Sequence, residues 1–185
     1  MTQPALTQPG SAYFLADSDA KDIRTTLAVL VDNEPGVLAR VVGLFSARGY
    51  NIESLTVAET DHDAHTSRIT IMTSGTPKVL EQIKAQLGRL VPVQRVIDFY
   101  GDDAAIRREL ALIKVAGDGE DRLEALRLAD AFKAKVMDAT LTSFVFEMTG
   151  STKKIDDFIA LMRPLGLVEV SRTGIAAIRR GPEAL

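Results

Sequence analysis

Two stretches of this chain pass through the same succession of hydrophobic periods: alternating, helical, alternating twice, helical, alternating. Each period admits one kind of element, so the order of elements is constrained before any other property is considered. In the first stretch Ile23, Thr25, Leu27, Val29 and Val31 alternate with smaller or more polar neighbours, as a half-buried strand requires. After Pro35, the residues Val37, Leu38, Val41, Val42, Leu44 and Phe45 form a wide apolar helix face that stops at Gly49 in the C′ position. Gly43 within that face predicts close packing. A second strand is expected over 52–59, a polar hairpin loop over 60–66, and a third strand with Ile69, Ile71 and Thr73 on one face. A second helix follows Pro77, with Val79, Leu80, Ile83, Leu87 and Leu90 at helical spacing, and a fourth strand spans 91–99.

The second stretch repeats the order: a strand over 110–115, a helix over 121–135, strands over 137–141 and 143–148, a helix over 153–163 and terminal strands over 167–170 and 175–178. The last helix is the clearest, because Ile155, Phe158, Ile159, Met162 and Leu165 follow a helical period behind the N-cap residue Ser151 and stop at Gly166. Leu123, Leu126, Ala129 and Phe132 give the preceding helix a comparable but drifting stripe. An order of β-α-β-β-α-β is the ferredoxin-like signature, with two helices on one face of a four-stranded antiparallel sheet. The expected fold is therefore α+β, two tandem ferredoxin-like (βαββαβ) domains over residues 23–100 and 104–180. Gly101-Asp102-Asp103 forms the hinge, and residues 1–22, rich in Thr, Gln, Pro, Ala, Ser and Asp, form a flexible tail.

Composition removes several functions. With 46% hydrophobic and 25% charged residues the chain is in the globular range rather than the disordered one. No cysteine is present and histidine occurs only twice, so thiolate metal sites and disulfides are excluded and no metal site is expected. His62 and His65 lie with Asp61 and Asp63 in a loop that reads as a solvated turn. The net charge of −3 is spread evenly, and Lys153-Lys154 and Arg179-Arg180 are pairs rather than basic blocks, which leaves no nucleic-acid footprint. No apolar run reaches the roughly 20 residues a membrane span needs. Met1 to Gly10 has neither the basic start nor the apolar centre of a secretory signal, so a cytoplasmic location with no membrane association is expected. Glu34 and Glu53 have no nucleophile or oxyanion donor beside them and define no catalytic pair; Glu34 is placed to favour the helix dipole, and Phe45 and Tyr50 read as packing residues.

The feature that carries chemistry is the start of the first helix. A helix that opens on Pro35 and Gly36 presents unpaired backbone N–H groups and a positive dipole end, which suit a carboxylate, and Asn33 sits beside that end. This points to a small-molecule sensor. Asn33-Glu34-Pro35-Gly36-Val37-Leu38-Ala39-Arg40, together with Gly49-Tyr50-Asn51-Ile52-Glu53-Ser54-Leu55-Thr56-Val57, resembles an ACT domain of the acetolactate synthase small-subunit family. The resemblance extends more weakly to Glu109-Leu110-Ala111-Leu112-Ile113-Lys114-Val115 and Ser171-Arg172-Thr173-Gly174-Ile175-Ala176 in the second half.

The resemblance implies a regulatory, non-catalytic subunit that binds valine as a feedback inhibitor and activates a large catalytic subunit. Thiamine diphosphate, magnesium and FAD belong to that catalytic partner; no cofactor and no catalytic residue are expected in this chain. It also implies a homodimer through side-by-side ACT domains with the effector at the joint. In that arrangement the amides of Gly36, Val37 and Leu38 receive the carboxylate, the side-chain oxygens of Asn33 and Asn51 accept from the ammonium, and Val37, Leu38 and Ile52 line the aliphatic part. Asn33, Gly36 and Leu38 then come from one copy, and Asn51 and Ile52 from the other, with Pro35 and Val37 also among the site residues. Two competing readings are weaker. An RNA-binding module on this fold predicts aromatics on the central strands, where Leu55-Thr56-Val57-Ala58 and Ile69-Thr70-Ile71-Met72 have none. A stand-alone amino-acid sensor acting on another enzyme or on transcription is the other alternative, and the chain shows no helix-turn-helix segment to support the transcriptional form.

Overall fold

The computed structural model describes residues 21–101 and 105–182. All of the predicted tail except Lys21 and Asp22, and the Asp102 and Asp103 of the predicted hinge, lie outside the described residues. The first half runs β1 (Ile23–Asp32), α1 (Val37–Arg48), β2 (Ser54–Asp61), β3 (Thr66–Gly75), α2 (Pro77–Leu87) and β4 (Val93–Asp98). Its antiparallel sheet has the order β2-β3-β1-β4, which leaves β2 and β4 as edges. The second half runs β5 (Ala105–Ala116), α3 (Gly119–Phe132), β6 (Lys135–Ala139), β7 (Ser143–Gly150), α4 (Thr152–Met162), β8 (Leu167–Arg172) and β9 (Ala176–Arg179). Its sheet has the order β6-β7-β5-β8, with β9 paired to the first residues of β5.

The helices form where the periods place them. Val37, Val41 and Phe45 of α1 and Leu80, Ile83 and Leu87 of α2 bury against Leu27, Val29, Val31, Ile69 and Ile71 of the sheet. Thr76 caps α2 by accepting from the Val79 amide, and Ser151 caps α4 by accepting from the Lys154 amide. All four central residues of the α4 stripe, Ile155, Phe158, Ile159 and Met162, are in the second core with Ile113, Phe146 and Met148. The α3 stripe lies where it was predicted at Leu126, Ala129 and Phe132, but its first member differs: Ala125 is buried in the core, while Leu123 is 55% exposed. Small side chains at the contact let a helix approach the strands closely, and a count of large apolar residues does not see them. Gly43 is another correction. A Cβ there would meet nothing within 4 Å among the described residues, so no close packing between them depends on it.

The larger correction concerns β1. It was expected to bury one face, yet Thr25, Thr26, Leu27, Ala28 and Val29 are buried in succession. The second face is covered by the other half of the chain. Ala28, Met72 and Phe99 pack with Ile175 and Ala177, and Ala105 and Ile97 border them. β5 makes this possible, because its later residues sit centrally in the second sheet while Ala105 to Arg108 pair with Arg179 to Ala176 in a two-stranded ribbon beneath the first sheet. Arg68 of β3 donates to the Ala177 carbonyl, and burial lowers its pKa from the usual guanidinium value.

Two polar clusters fasten these layers. Asp98 accepts from Thr25 Oγ1 at 2.5 Å, from the Tyr100 amide at 2.9 Å and from Lys84 Nζ at 3.0 Å, which ties β1, β4 and α2 together. Burial pushes the Asp98 carboxyl up, but the hydrogen bonds from Thr25, Tyr100 and Lys84 outweigh it and hold the group below its ordinary value. In the second half Glu109, only 5% exposed, accepts both guanidinium arms of Arg172 at 2.7 Å, and Arg172 also donates to Asp156 of α4 at 2.7 Å.

Candidate functional site

The chain leaves β1 at Asp32 and turns through Asn33, Glu34, Pro35 and Gly36, all exposed, before entering α1. The turn is pinned by its backbone: the Asn33 amide donates to the His65 carbonyl at 2.7 Å and the Glu34 amide to the Asp32 carbonyl at 2.9 Å. Gly36 adopts φ +86°, a left-handed conformation that costs glycine nothing and rotates the first helical amides outward. Among the described residues no side chain caps this helix.

Accounting for the amides changes one member of the predicted set. Val37 N–H donates back to the Glu34 carbonyl at 3.3 Å, and Arg40 N–H donates to the Gly36 carbonyl at 3.0 Å. The amides of Gly36, Leu38 and Ala39 have no acceptor among the described residues. The third amide without an acceptor is thus that of Ala39 rather than Val37, because the spacing of a turn does not reveal which N–H closes it. Val37 itself is turned into the helix–sheet core at 7% exposure, whereas Leu38 is 38% exposed beside the opening. The other polar group at this end is an ion pair, Arg40 Nη1 to Glu34 Oε1 at 2.8 Å. It gives Glu34 a defined partner that the expected dipole role did not require.

Asn51 and Ile52 lie at the other end of the same sheet. The Asn51 carbonyl accepts from the buried Thr73 hydroxyl at 2.6 Å, and the Asn51 side chain is exposed with no partner among the described residues. Ile52 is half-buried against the α1 core, and Tyr50 meets Phe45 edge to face, so both aromatic rings serve packing. Asp32 pairs with Thr66 and Asn51 is bonded to Thr73, so the two asparagines are separated by the rise of seven β3 residues, about 23 Å. One copy of the chain therefore does not bring Asn33 and Asn51 together. The strand that runs between the two ends along the sheet border is β2, with its outer edge unpaired among the described residues.

The histidine loop has a structural account. Asp61 Oδ1 accepts from the amides of Asp63 and Ala64 at 3.0 Å, an Asx-type turn, and His62 Nδ1 lies 3.0 Å from Glu59. Glu53 pairs with Arg24 rather than with Glu34.

A βαββαβ sheet whose first helix opens on a glycine with outward amides, beside a free edge strand, defines an ACT-type domain, here followed by a second ferredoxin-like domain. The comparisons agree in both halves: residues 27–95 match the model of the AHAS small subunit-like ACT domain, and residues 108–181 match that of the small subunit of acetolactate synthase. The chain belongs to the acetolactate synthase small-subunit family. It is 45% identical over 164 residues to the acetolactate synthase isozyme 3 small subunit of Salmonella typhimurium, covering 88% of this chain and 99% of that protein. It is also 45% identical over 159 residues to the probable acetolactate synthase small subunit of Archaeoglobus fulgidus, covering 86% of this chain and 98% of that one. The crystal structure of the Thermotoga maritima acetolactate synthase small subunit superimposes with a TM-score of 0.78 at 37% identity, over 87% of this chain and 99% of that one.

Proposed function

We propose that this chain binds valine at an ACT–ACT joint and, through that binding, sets the activity of an acetolactate synthase catalytic subunit, activating it when free and inhibiting it when loaded. The observation that supports this most is the division of the candidate site between the two ends of one free edge strand. If two copies join their β2 edges antiparallel about a twofold normal to the sheet, the Asn51 end of each lies against the Asn33 end of the other. The ligand then receives amides of Gly36, Leu38 and Ala39 from one copy and the Asn51 and Ile52 end from its partner. A carboxylate at three outward amides and a helix dipole gains charge-assisted hydrogen bonds, the strong kind. The neutral oxygens of Asn33 and Asn51 accept from the ammonium without adding a net charge.

Leu38 and Ile52 favour an aliphatic ligand, since burying a branched side chain there is worth roughly 1.5–3 kcal/mol. That discriminates well against serine and poorly among valine, leucine and isoleucine. Binding alone changes nothing downstream; valine must prefer one arrangement of the pair, and the catalytic subunit must respond to that arrangement. The thiamine diphosphate, magnesium and FAD of the reaction are assigned to that partner, in the cytoplasm, and this chain carries regulation only.

Titration calorimetry of the chain with valine, leucine, isoleucine and serine tests the reading, with one aliphatic ligand per chain expected and none for serine. Asn33→Ala weakens binding by about 1.5–3 kcal/mol, the worth of a hydrogen bond to a charged group. It relieves inhibition of the reconstituted holoenzyme while leaving activation intact. Undiminished inhibition in that variant counts against the site. Failure of the chain to retain the catalytic subunit in a pull-down supports instead a sensor acting alone.

A further inference from the structure

The path from this effector site into the second domain begins three residues beyond Asn51. Ser54 and Thr56, at the start of β2, face away from the helices and meet the connection between β8 and β9. Ile175 N–H donates to Ser54 Oγ at 3.2 Å, and Thr56 Oγ1 is 3.4 Å from the carbonyls of both Thr173 and Ile175, which share its single hydroxyl proton. Between them stands Gly174 at φ +83°. A Cβ there would lie 2.5 Å from Ser54 Oγ and 2.9 Å from Thr56 Oγ1, so the backbone of one domain rests directly on the edge strand of the other without space for a methyl group.

The connection is equally constrained on its other side. Thr173 N–H donates to the Leu110 carbonyl at 3.0 Å, and its hydroxyl accepts from the Leu110 amide at 3.1 Å. The preceding residue is Arg172, clamped by Glu109 and Asp156. Beyond this tight point the packing opens. A cavity of about 360 Å³, lined by Ala58, Thr60, Arg68, Ile106 and Ile178 among others, separates the later part of β2 from the β5–β9 ribbon. The contact has no slack at Gly174, while across the cavity β3 reaches the ribbon through the bond from Arg68 to the Ala177 carbonyl.

We infer that the connection 173–175 is the element that carries the effector signal: a shift of β2 on ligand binding is passed at Gly174 to the β5–β9 ribbon, which turns into the cavity and moves the second domain. This rests on the valine-site reading above. The side chains of Ser54 and Thr56 face the connection 173–175 and are not among the proposed ligand contacts, nor is Gly174, so binding and transmission are separable by side-chain substitution.

The experiment uses the full chain, with amide hydrogen exchange of β9 and the connection followed with and without valine, and valine inhibition measured in the holoenzyme. In the wild type, valine changes exchange in both β2 and the ribbon. In Gly174→Ala the affinity for valine stays within about threefold, the ribbon no longer responds, and inhibition weakens by about tenfold or more, the range of an allosteric coupling. Thr56→Val keeps the shape and removes both hydroxyl contacts, which gives the same direction if Gly174→Ala does not fold. Valine that binds the wild type without altering ribbon exchange, or full inhibition in both folded variants, overturns the coupling alone. Valine that does not bind the wild type overturns the effector site and the coupling together.

Discussion

The two sheets of this protein share a strand order and differ in what covers them. In the first sheet the face away from the helices carries Thr26, Ala28, Thr70 and Met72, all buried, with Ala28 and Met72 packed against Ile175 and Ala177. In the second sheet the corresponding face carries Leu112, Lys114, Glu169 and Ser171, all exposed, with Lys114 paired to Glu169 at 2.8 Å. The difference follows from side-chain size and charge. Small and weakly polar residues let a ribbon lie close and leave few groups to desolvate, whereas a lysine–glutamate pair keeps its surface wet because burial would cost more than the pair returns. One repeated βαββαβ pattern thus yields a sheet held from both sides and a sheet with a free face. The held sheet is the one that carries the candidate effector residues.

The largest expected effect is on the clamp that anchors the connection between the two. Arg172→Met leaves the Glu109 carboxylate buried without its partner and lowers stability by about 3–5 kcal/mol in a urea titration; adding Glu109→Gln to that variant recovers most of the loss. A smaller effect tests the covered and free faces against each other. Ala28→Leu overfills the ribbon contact and costs about 1–3 kcal/mol, while Lys114→Ala, on the free face, leaves the melting temperature unchanged. Equal losses in the two would remove the distinction drawn above.

The smallest concerns the Asp98 cluster, where Asp98→Asn costs about 1–2 kcal/mol near neutral pH. Because the folded carboxyl titrates below its ordinary value of 3.8, its contribution is complete above that value and is lost as the pH falls through the lower folded value. The wild type therefore weakens below about pH 4 more steeply than the Asn variant, and parallel acid limbs in the two melting curves would show that Asp98 is not stabilised by folding.

Local periodicity reached most of the fold. The stripe of α4 was readable because Ile155, Phe158, Ile159 and Met162 are large and all face one way, and Gly49 marked the end of α1, where it adopts φ +68°. The second face of β1 was not readable, since Thr26 and Ala28 look like the wet side of a strand until Ile175 and Ala177, nearly 150 residues later, are brought against them. Asn33 and Gly36 could be picked out because a turn before a helix is a local event. Which amides remain outward was not local, nor was the support that Thr73 gives to Asn51, and no period would connect Gly174 to Ser54.

The strand β5 belongs to both halves, with Ala105 to Arg108 in the ribbon and Glu109 to Ala116 in the second sheet. A chain ended before residue 105 would bare Ala28, Met72 and Phe99 to water, so the ACT half is not a bead that can be cut loose unaltered. Melting should accordingly be a single cooperative event, with one transition in a calorimetric scan of the full chain.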